Sequence, residues 1–264
     1  MPKAIITLTT DFGLRDPCVA EMKAAILGVC PHAVIVDVTH EVDKFDIRMG
    51  AFILASAAPY FPSGAIHVAV VDPDVGTKRR PIIIQTKHGF LAGPNNGVLA
   101  LAATEQSIKH VYAITNHELM LPDVSYTFHG RDIFAPAAAH LATGTPPSDF
   151  GPEIREIVKP KLAGIVRKTN SLVGEVLHVD DFGNIITNFG KKQLKSLDVT
   201  SKINVKLRHV KLTLNLCKAY AEAKPKKPLA IIGSHNFLEI SLNRGNAAKK
   251  YGTKAGDKVE LLRA

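Results

Sequence analysis

Ile5–Val29 reads IITLTTDFGLRDPCVAEMKAAILGV. The opening IITLTT is apolar or β-branched, as a strand requires. The polar stretch Asp11–Arg15 interrupts it, and Val19, Met22, Ile26 and Val29 then recur at helical spacing. Asp16 is expected to cap that helix and Pro17 to occupy its first position. This is a strand, a loop at the strand's carboxyl end, and a helix, the opening unit of an α/β domain.

The rhythm continues downstream. AVIVDV, AIHVAVV, PIIIQT and GFLAG are short β-branched runs, and helices are expected over Phe45 to about Ala58 and Arg131 to about Leu141. Strands alternating with helices predict a largely parallel sheet covered by helices. In open sheets of this kind ligands bind outside the carboxyl ends of the strands, which directs attention to the loops there.

Past Ala142 the pattern changes. TGTPPSDFGPEIREIVKP, residues 143–160, has prolines and glycines but little periodicity, and reads as a linker. Beyond it Ile203, Val205 and Leu207, and again Val210, Leu212, Leu214 and Leu216, alternate with period two. That is the pattern of antiparallel strands in a small sheet or barrel. The expected organisation is an N-terminal α/β domain over residues 1–160 and a small, barrel-like all-β domain over 161–264.

Composition sets outer limits. A chain of 264 residues with 46% hydrophobic and 22% charged residues has a globular composition. Its apolar stretches are too short for the ~20 residues of a membrane-spanning helix, and a cytoplasmic location is expected. Cys18, Cys30 and Cys217 have no CxxC spacing and read as small buried hydrophobes rather than a disulfide or zinc set. The net charge of +9 favours loose polyanion association, but its densest run, KAYAEAKPKK at 218–227, reads as a solvated loop without aromatic interleaving. No specific nucleic-acid partner is expected.

The chemistry-bearing residues gather where strands end. TTDFG (9–13) places Asp11 after the first strand, and VVDPDVGTKRR (70–80) carries Asp72, Asp74, Lys78, Arg79 and Arg80. FHGRD (128–132) sets His129 and Arg131 before a helix. Singly, each has an ordinary structural reading: a cap, a turn residue before Pro73, an exposed basic pair. Together they could orient a water or accept a proton. GxGxxG, GxxxxGK[ST] and HExxH are missing, the eleven histidines have no metal-ligand spacing, and GPNNG (93–97) reads as a structural turn. In the second domain DDFGN (180–184) and GSHNFLEISLNRGNAA (233–248) are candidate ligand loops, or ordinary turns.

Taken in order, TTDFG, VDVTH, VVDPxVGTxRR, FHGRDIFAPAAAHLA, DDFGN and GSHNFLEI resemble the S-adenosylmethionine (SAM) hydrolases, or SAM hydroxide adenosyltransferases, relatives of the fluorinase and chlorinase enzymes. The resemblance runs from about Ile5 to Leu262. It implies hydrolysis of S-adenosyl-L-methionine to adenosine and L-methionine by attack of activated water on the ribose 5′ carbon. No cofactor or metal is implied. The implied assembly is a homotrimer whose sites lie between one subunit's N-terminal domain and its neighbour's C-terminal domain.

By the same resemblance Asp72, Arg79 and His129 form the water-activating set, Arg79 being taken over Arg80 as the first arginine of the pattern. Asp11 matches the carboxylate that grips the ribose diol. Asp181 and Asn184 match contacts from the DFGN loop, with Asp180 an alternative to Asp181. Ser234, Glu239 and Leu242 match the second C-terminal segment. Asp74 stands where the family commonly has glycine, which is awkward if that turn requires positive φ. Which group takes the proton from water stays open. A SAM-dependent halogenase and a non-catalytic SAM- or adenosine-binding protein are the alternatives. A halogenase is disfavoured because those relatives depart from the Asp–Arg–His set.

Overall fold

The computed structural model describes residues 4–160 and 164–263. The chain divides into two compact units, Met1–Lys161 and Leu162–Ala264.

In the first unit the elements run β1 (Ile5–Thr10), α1 (Cys18–Val29), β2 (Val34–Thr39), α2 (Ile47–Ala57), β3 (Ile66–Val70), β4 (Pro81–Thr86), β5 (Phe90–Pro94), α3 (Ala100–Glu105), β6 (Ile108–Ala113) and α4 (Ala135–Ala142). The strands form a six-stranded sheet in the order β2-β1-β3-β5-β4-β6. β1 is parallel to β2 and β3, and β3 to β5, whereas β4 runs against β5 and β6. The reversal follows from chain length. Residues 87–89 are too few for a crossover helix, so β4 and β5 join as a hairpin.

Helices cover both faces. Ile6, Leu8, Val68 and Ile83 pack with α1 and α4, while Val71, Ile82, Ile84 and Leu91 pack with α2 and α3. Ile82, Ile83 and Ile84 alternate between the two cores, which is why PIIIQT is a continuous apolar run. His67 lies within the wholly buried β3 at 2% exposure, its Nδ1 2.8 Å from Thr7 Oγ1, and burial lowers its pKa to about 4.

Several local expectations shift. α1 begins at Cys18 with Pro17 at the cap position, and no side chain caps it. α2 begins at Ile47, capped by Asp46, whose Oδ1 accepts from Arg48 N at 2.9 Å and Met49 N at 3.0 Å. Phe45 lies outside that helix at φ 66°. α4 is preceded by a π-helical turn over Gly130–Phe134, and the short α3 had no periodic signal long enough to read. The three cysteines are free and half-buried rather than buried.

The segment expected to be a linker is packed. Thr115 N donates to Phe150 O at 2.8 Å, Ala113 N to Pro152 O at 2.9 Å and Ile154 N to Val111 O at 2.8 Å, closing the open edge of β6. Phe150 is fully buried in the α1/α4 core.

The second unit contains β7 (Val166–Arg167), β8 (Ser171–Val179), β9 (Ile185–Gly190), β10 (Lys202–Leu207), β11 (Val210–Cys217), β12 (Pro228–Ile232), β13 (Phe237–Leu242) and β14 (Lys258–Leu262). The order β14-β10-β11-β12-β13-β9-β8 closes on itself through β14–β8 pairing, and β7 adds to β8. This is the β-barrel domain. Ile203, Val205 and Leu207 point into its core as their alternation requires, and Leu214 joins them from β11.

Candidate active site

Three segments of the first unit bring polar side chains to one cleft at the carboxyl edge of β1 and β3. Asp11 directly follows β1 and is 6% exposed. Its Oδ2 accepts Phe45 N–H at 2.9 Å, and its carbonyl accepts from the Lys44 ammonium. Phe45 adopts the left-handed conformation that makes its N–H available there, and the residue stays 68% exposed beside the cleft. Neither Lys44 nor Phe45 stands out in the sequence, because the fold of residues 41–46 over the Asp11 loop has no periodic signature.

Asp72 follows β3. Asn96 Nδ2 donates to the carbonyl of its neighbour Val71 at 2.8 Å, so the GPNNG turn braces this strand end. In the loop beyond, Asp74 O accepts from Thr77 N at 3.2 Å and from Thr77 Oγ1 at 2.8 Å. The positive φ of this loop falls on Gly76 at 76° and not on Asp74, so aspartate replaces the family's usual glycine without backbone strain. A Cβ on Gly76 would stand 2.2 Å from Tyr126 O. That close approach seats the loop against the segment carrying His129.

Arg79 joins the two loops. Its Nε donates to Asp72 Oδ1 at 3.0 Å, Nη2 donates to Asp72 Oδ2, and Nη2 also donates to His129 Nδ1 at 2.7 Å. The Arg79 and Asp72 side chains are 7% and 4% exposed, and the guanidinium lies over the Phe134 ring at 5.3 Å. Arg79 Nη1 is buried with no hydrogen-bond partner among the described residues. Lys78 and Arg80 are exposed.

Burial, followed by the Arg79 charge, lowers the His129 pKa against the opposing pull of Asp72 and Asp132. Because Arg79 donates to Nδ1, the neutral ring carries its proton on Nε2.

His129 is placed by the residues after it. Asp132 is fully buried and accepts from Ser125 N at 2.8 Å, Ser125 Oγ at 2.6 Å and Arg131 Nε at 2.6 Å. Burial alone would raise the Asp132 pKa, but the Arg131 and Ser125 hydrogen bonds outweigh it and the net shift is downward. Arg131 continues to Glu21 at 2.9 Å and stacks on Phe128 at 5.1 Å. These contacts and the π-turn anchor FHGRD to α1. Arg131 is thereby a scaffold residue. Asp11, Lys44, Phe45, Asp72, Phe128 and His129 help line the cleft, of about 220 Å³.

The barrel unit carries the other candidates. Asn184 is buried, with its N and Nδ2 donating to Asp180 Oδ1 and Oδ2, each at 2.8 Å. Asp180 thus holds Asn184 in place and leaves its amide oxygen available, while Asp181 is exposed and Phe182 stands 80% exposed at the loop tip. Glu239 is buried on β13 and accepts from Tyr220 OH at 2.7 Å, and burial raises its pKa. A Cβ on Gly233 would fall 1.7 Å from Glu239 Oε1, so glycine there makes room for the carboxyl. Tyr220 comes from the loop read as merely solvated, and its phenol is pushed up by burial and by Glu239.

Ser234 lies exposed in the turn between β12 and β13. Leu242 points into the barrel core. An odd spacing along a strand sends Glu239 and Leu242 to opposite faces, so the Leu242 side chain does not share a surface with Glu239.

Residues 6–151 match the model of the SAM hydroxide adenosyltransferase N-terminal domain, and residues 174–260 that of the C-terminal domain. The (R)-S-adenosyl-L-methionine hydrolase of Salinispora tropica is 36% identical over 98% of each chain. The hydrolase of the same name from Methanocaldococcus jannaschii is 37% identical over 98% of this chain and 95% of its own. A fluorinase from Nocardia brasiliensis is 27% identical over 98% and 97%. Among solved structures, an uncharacterized conserved protein of Thermotoga maritima superposes with a TM-score of 0.93 at 35% identity, covering 98% of this chain and all of that one.

Proposed function

The chain belongs to the SAM hydroxide adenosyltransferase family, and from that premise we propose that it is an S-adenosyl-L-methionine hydrolase yielding adenosine and L-methionine. The hydrolases are more similar to this chain than the fluorinases are. Their name specifies the (R) sulfonium epimer, and the proposal extends to that epimer.

The observation that carries this reading is the buried Asp72–Arg79 pair joined to the half-buried His129, with an unpartnered Arg79 Nη1. The sulfonium is a good leaving group, so the 5′ carbon needs chiefly an aligned nucleophile in a dry site. Water must gain hydroxide character to attack. In this reading Arg79 Nη1 and the His129 Nε2–H stabilise the developing negative charge. His129 already carries its ring proton on Nε2 and faces a guanidinium, so a second proton is disfavoured there. Asp72, whose oxygens keep lone pairs beyond those facing Arg79, is the proposed proton acceptor. Asp11 is proposed to hold the ribose diol, and the Asn184 and Glu239 segments to contribute further substrate contacts.

We read the protein as a cytoplasmic homotrimer with each site completed by a neighbouring subunit, and as working without metal or cofactor. Light scattering tests the assembly, and a fully active monomer would remove the shared-site part. For the reaction, each SAM epimer is incubated in heavy-oxygen water with and without chloride. Label in the adenosine 5′ hydroxyl is expected, with the (R) epimer consumed. A 5′-halogenated product, or both epimers left intact, would overturn the proposal.

A further inference from the structure

The segment Val36–His40, VDVTH, has no role in the chemistry proposed above, yet it sets a buried histidine beside the Asp11 loop. His40 is 4% exposed. Its Nδ1 lies 2.8 Å from Thr10 Oγ1, and Thr10 Oγ1 accepts Phe12 N–H at 3.2 Å. On the other side of the ring Nε2 lies 3.0 Å from Asp37 Oδ1, a close polar contact poorly angled for a hydrogen bond, and Lys23 Nζ meets Asp37 Oδ2 at 2.6 Å. The His40 backbone reaches the same loop, its carbonyl accepting Gly13 N–H at 2.7 Å. Thr10, Phe12 and Gly13, the residues around Asp11, are therefore all fastened directly or indirectly to His40.

The contacts have one consistent polarity. Asp37 beside Lys23 favours the ring proton on Nε2. Nδ1 is then a free acceptor for the Thr10 hydroxyl proton, and the Thr10 oxygen a free acceptor for Phe12 N–H. Such a chain orients each member through the next, as outer-shell partners of a histidine do in other sites. His67 provides a contrast within the same sheet: it also meets a threonine, Thr7, but lies mid-strand in the core, away from any loop of the cleft.

We propose that His40 is a positioning residue for substrate binding, which, oriented by Asp37 and acting through Thr10, holds the Asp11 carboxylate ready for the ribose diol. This rests on the reading of Asp11 as the ribose-binding group. A preorganised carboxylate spares the complex the cost of ordering the loop on binding, so loss of the clamp acts on affinity more than on the chemical step.

The test compares Thr10→Val, His40→Leu, His40→Asn and the control Asp11→Ala, measuring KM and kcat for SAM and the adenosine dissociation constant. Thr10→Val and His40→Leu are expected to raise KM and the adenosine constant about tenfold, the scale of one lost buried hydrogen bond, with kcat nearly unchanged. His40→Asn, whose amide oxygen can stand near the Nδ1 position, is expected to restore most of the affinity. The Thr10→Val/His40→Leu double variant should be no worse than either single one.

Wild-type affinity in Thr10→Val, while Asp11→Ala binds poorly, would overturn the clamp and leave the Asp11 reading standing. Normal adenosine binding by Asp11→Ala would remove that reading, and the proposal with it. Should His40→Leu fail to fold, Thr10→Val decides, since valine keeps the shape of threonine and removes only the hydroxyl.

Discussion

Replacing Arg79 by alanine removes the partner of a carboxylate that is 4% exposed and the donor to His129 Nδ1. Two costs follow. Breaking a buried ion pair from one side leaves an uncompensated charge, worth about 3–5 kcal/mol. For a chain of this size that is roughly a 6–20 °C loss in Tm. On the proposed mechanism the substitution also removes a preorganised donor to developing negative charge, which should lower kcat about 100- to 1,000-fold. The neighbouring Arg80→Ala, which deletes an exposed charge, should stay within about 0.5 kcal/mol of wild type and keep its rate.

Adding Asp72→Ala to Arg79→Ala separates the two costs. The double variant no longer buries an unpaired carboxylate, so it should be more stable than Arg79→Ala alone while remaining inactive. Thermal unfolding and chromatography of released adenosine measure both. Arg79→Ala turning over within about threefold of wild type, or a defect confined to Arg80→Ala, would refute the reasoning.

Gly76→Ala combines a positive φ with a Cβ 2.2 Å from Tyr126 O, so it should destabilise by about 1–3 kcal/mol and lower kcat more than KM, which steady-state kinetics checks. His67, with its pKa lowered to about 4, binds no proton in the folded state where the unfolded chain already does. Its contribution is full above about pH 6.5 and is lost as pH falls from there toward 4, amounting to about 2 kcal/mol by pH 5. Urea unfolding at pH 7 and pH 5 should therefore show a smaller pH effect in His67→Gln than in wild type. Asp180→Ala frees the Asn184 amide held at 2.8 Å and should weaken adenosine binding about tenfold, read by calorimetry. A chelator should leave the rate of adenosine release unchanged, and loss of activity restored by a divalent ion would contradict the proposed metal-free mechanism.

Read without its structure, the chain already declares an α/β unit and a β-barrel unit. Those readings depend on local signals: the strand–loop–helix of Ile5–Val29, the alternation of Ile203, Val205 and Leu207, and motif order. Local periodicity survives folding because it states which face of each element must leave water. Sequence also located Asp11, Asp72 and His129 at strand and loop ends, and it selected Arg79 over Arg80 only through the order of a family pattern.

What tertiary structure decided is where side chains point and what distant chain segments do. Adjacent arginines are indistinguishable as letters, yet Arg79 turns inward to Asp72 and Arg80 outward to solvent. Asp180 rather than Asp181 supports Asn184, and Leu242 faces the core instead of sharing a surface with Glu239. The 143–160 segment has the proline content of a linker but closes the β6 edge, because the unpaired backbone of an edge strand favours a partner that composition does not reveal. Tyr220 reaches Glu239 across 19 positions of sequence, and Thr10 reaches His40 across 30. Such contacts are set by the packing of whole elements, and no window of sequence short enough to read by pattern contains both partners.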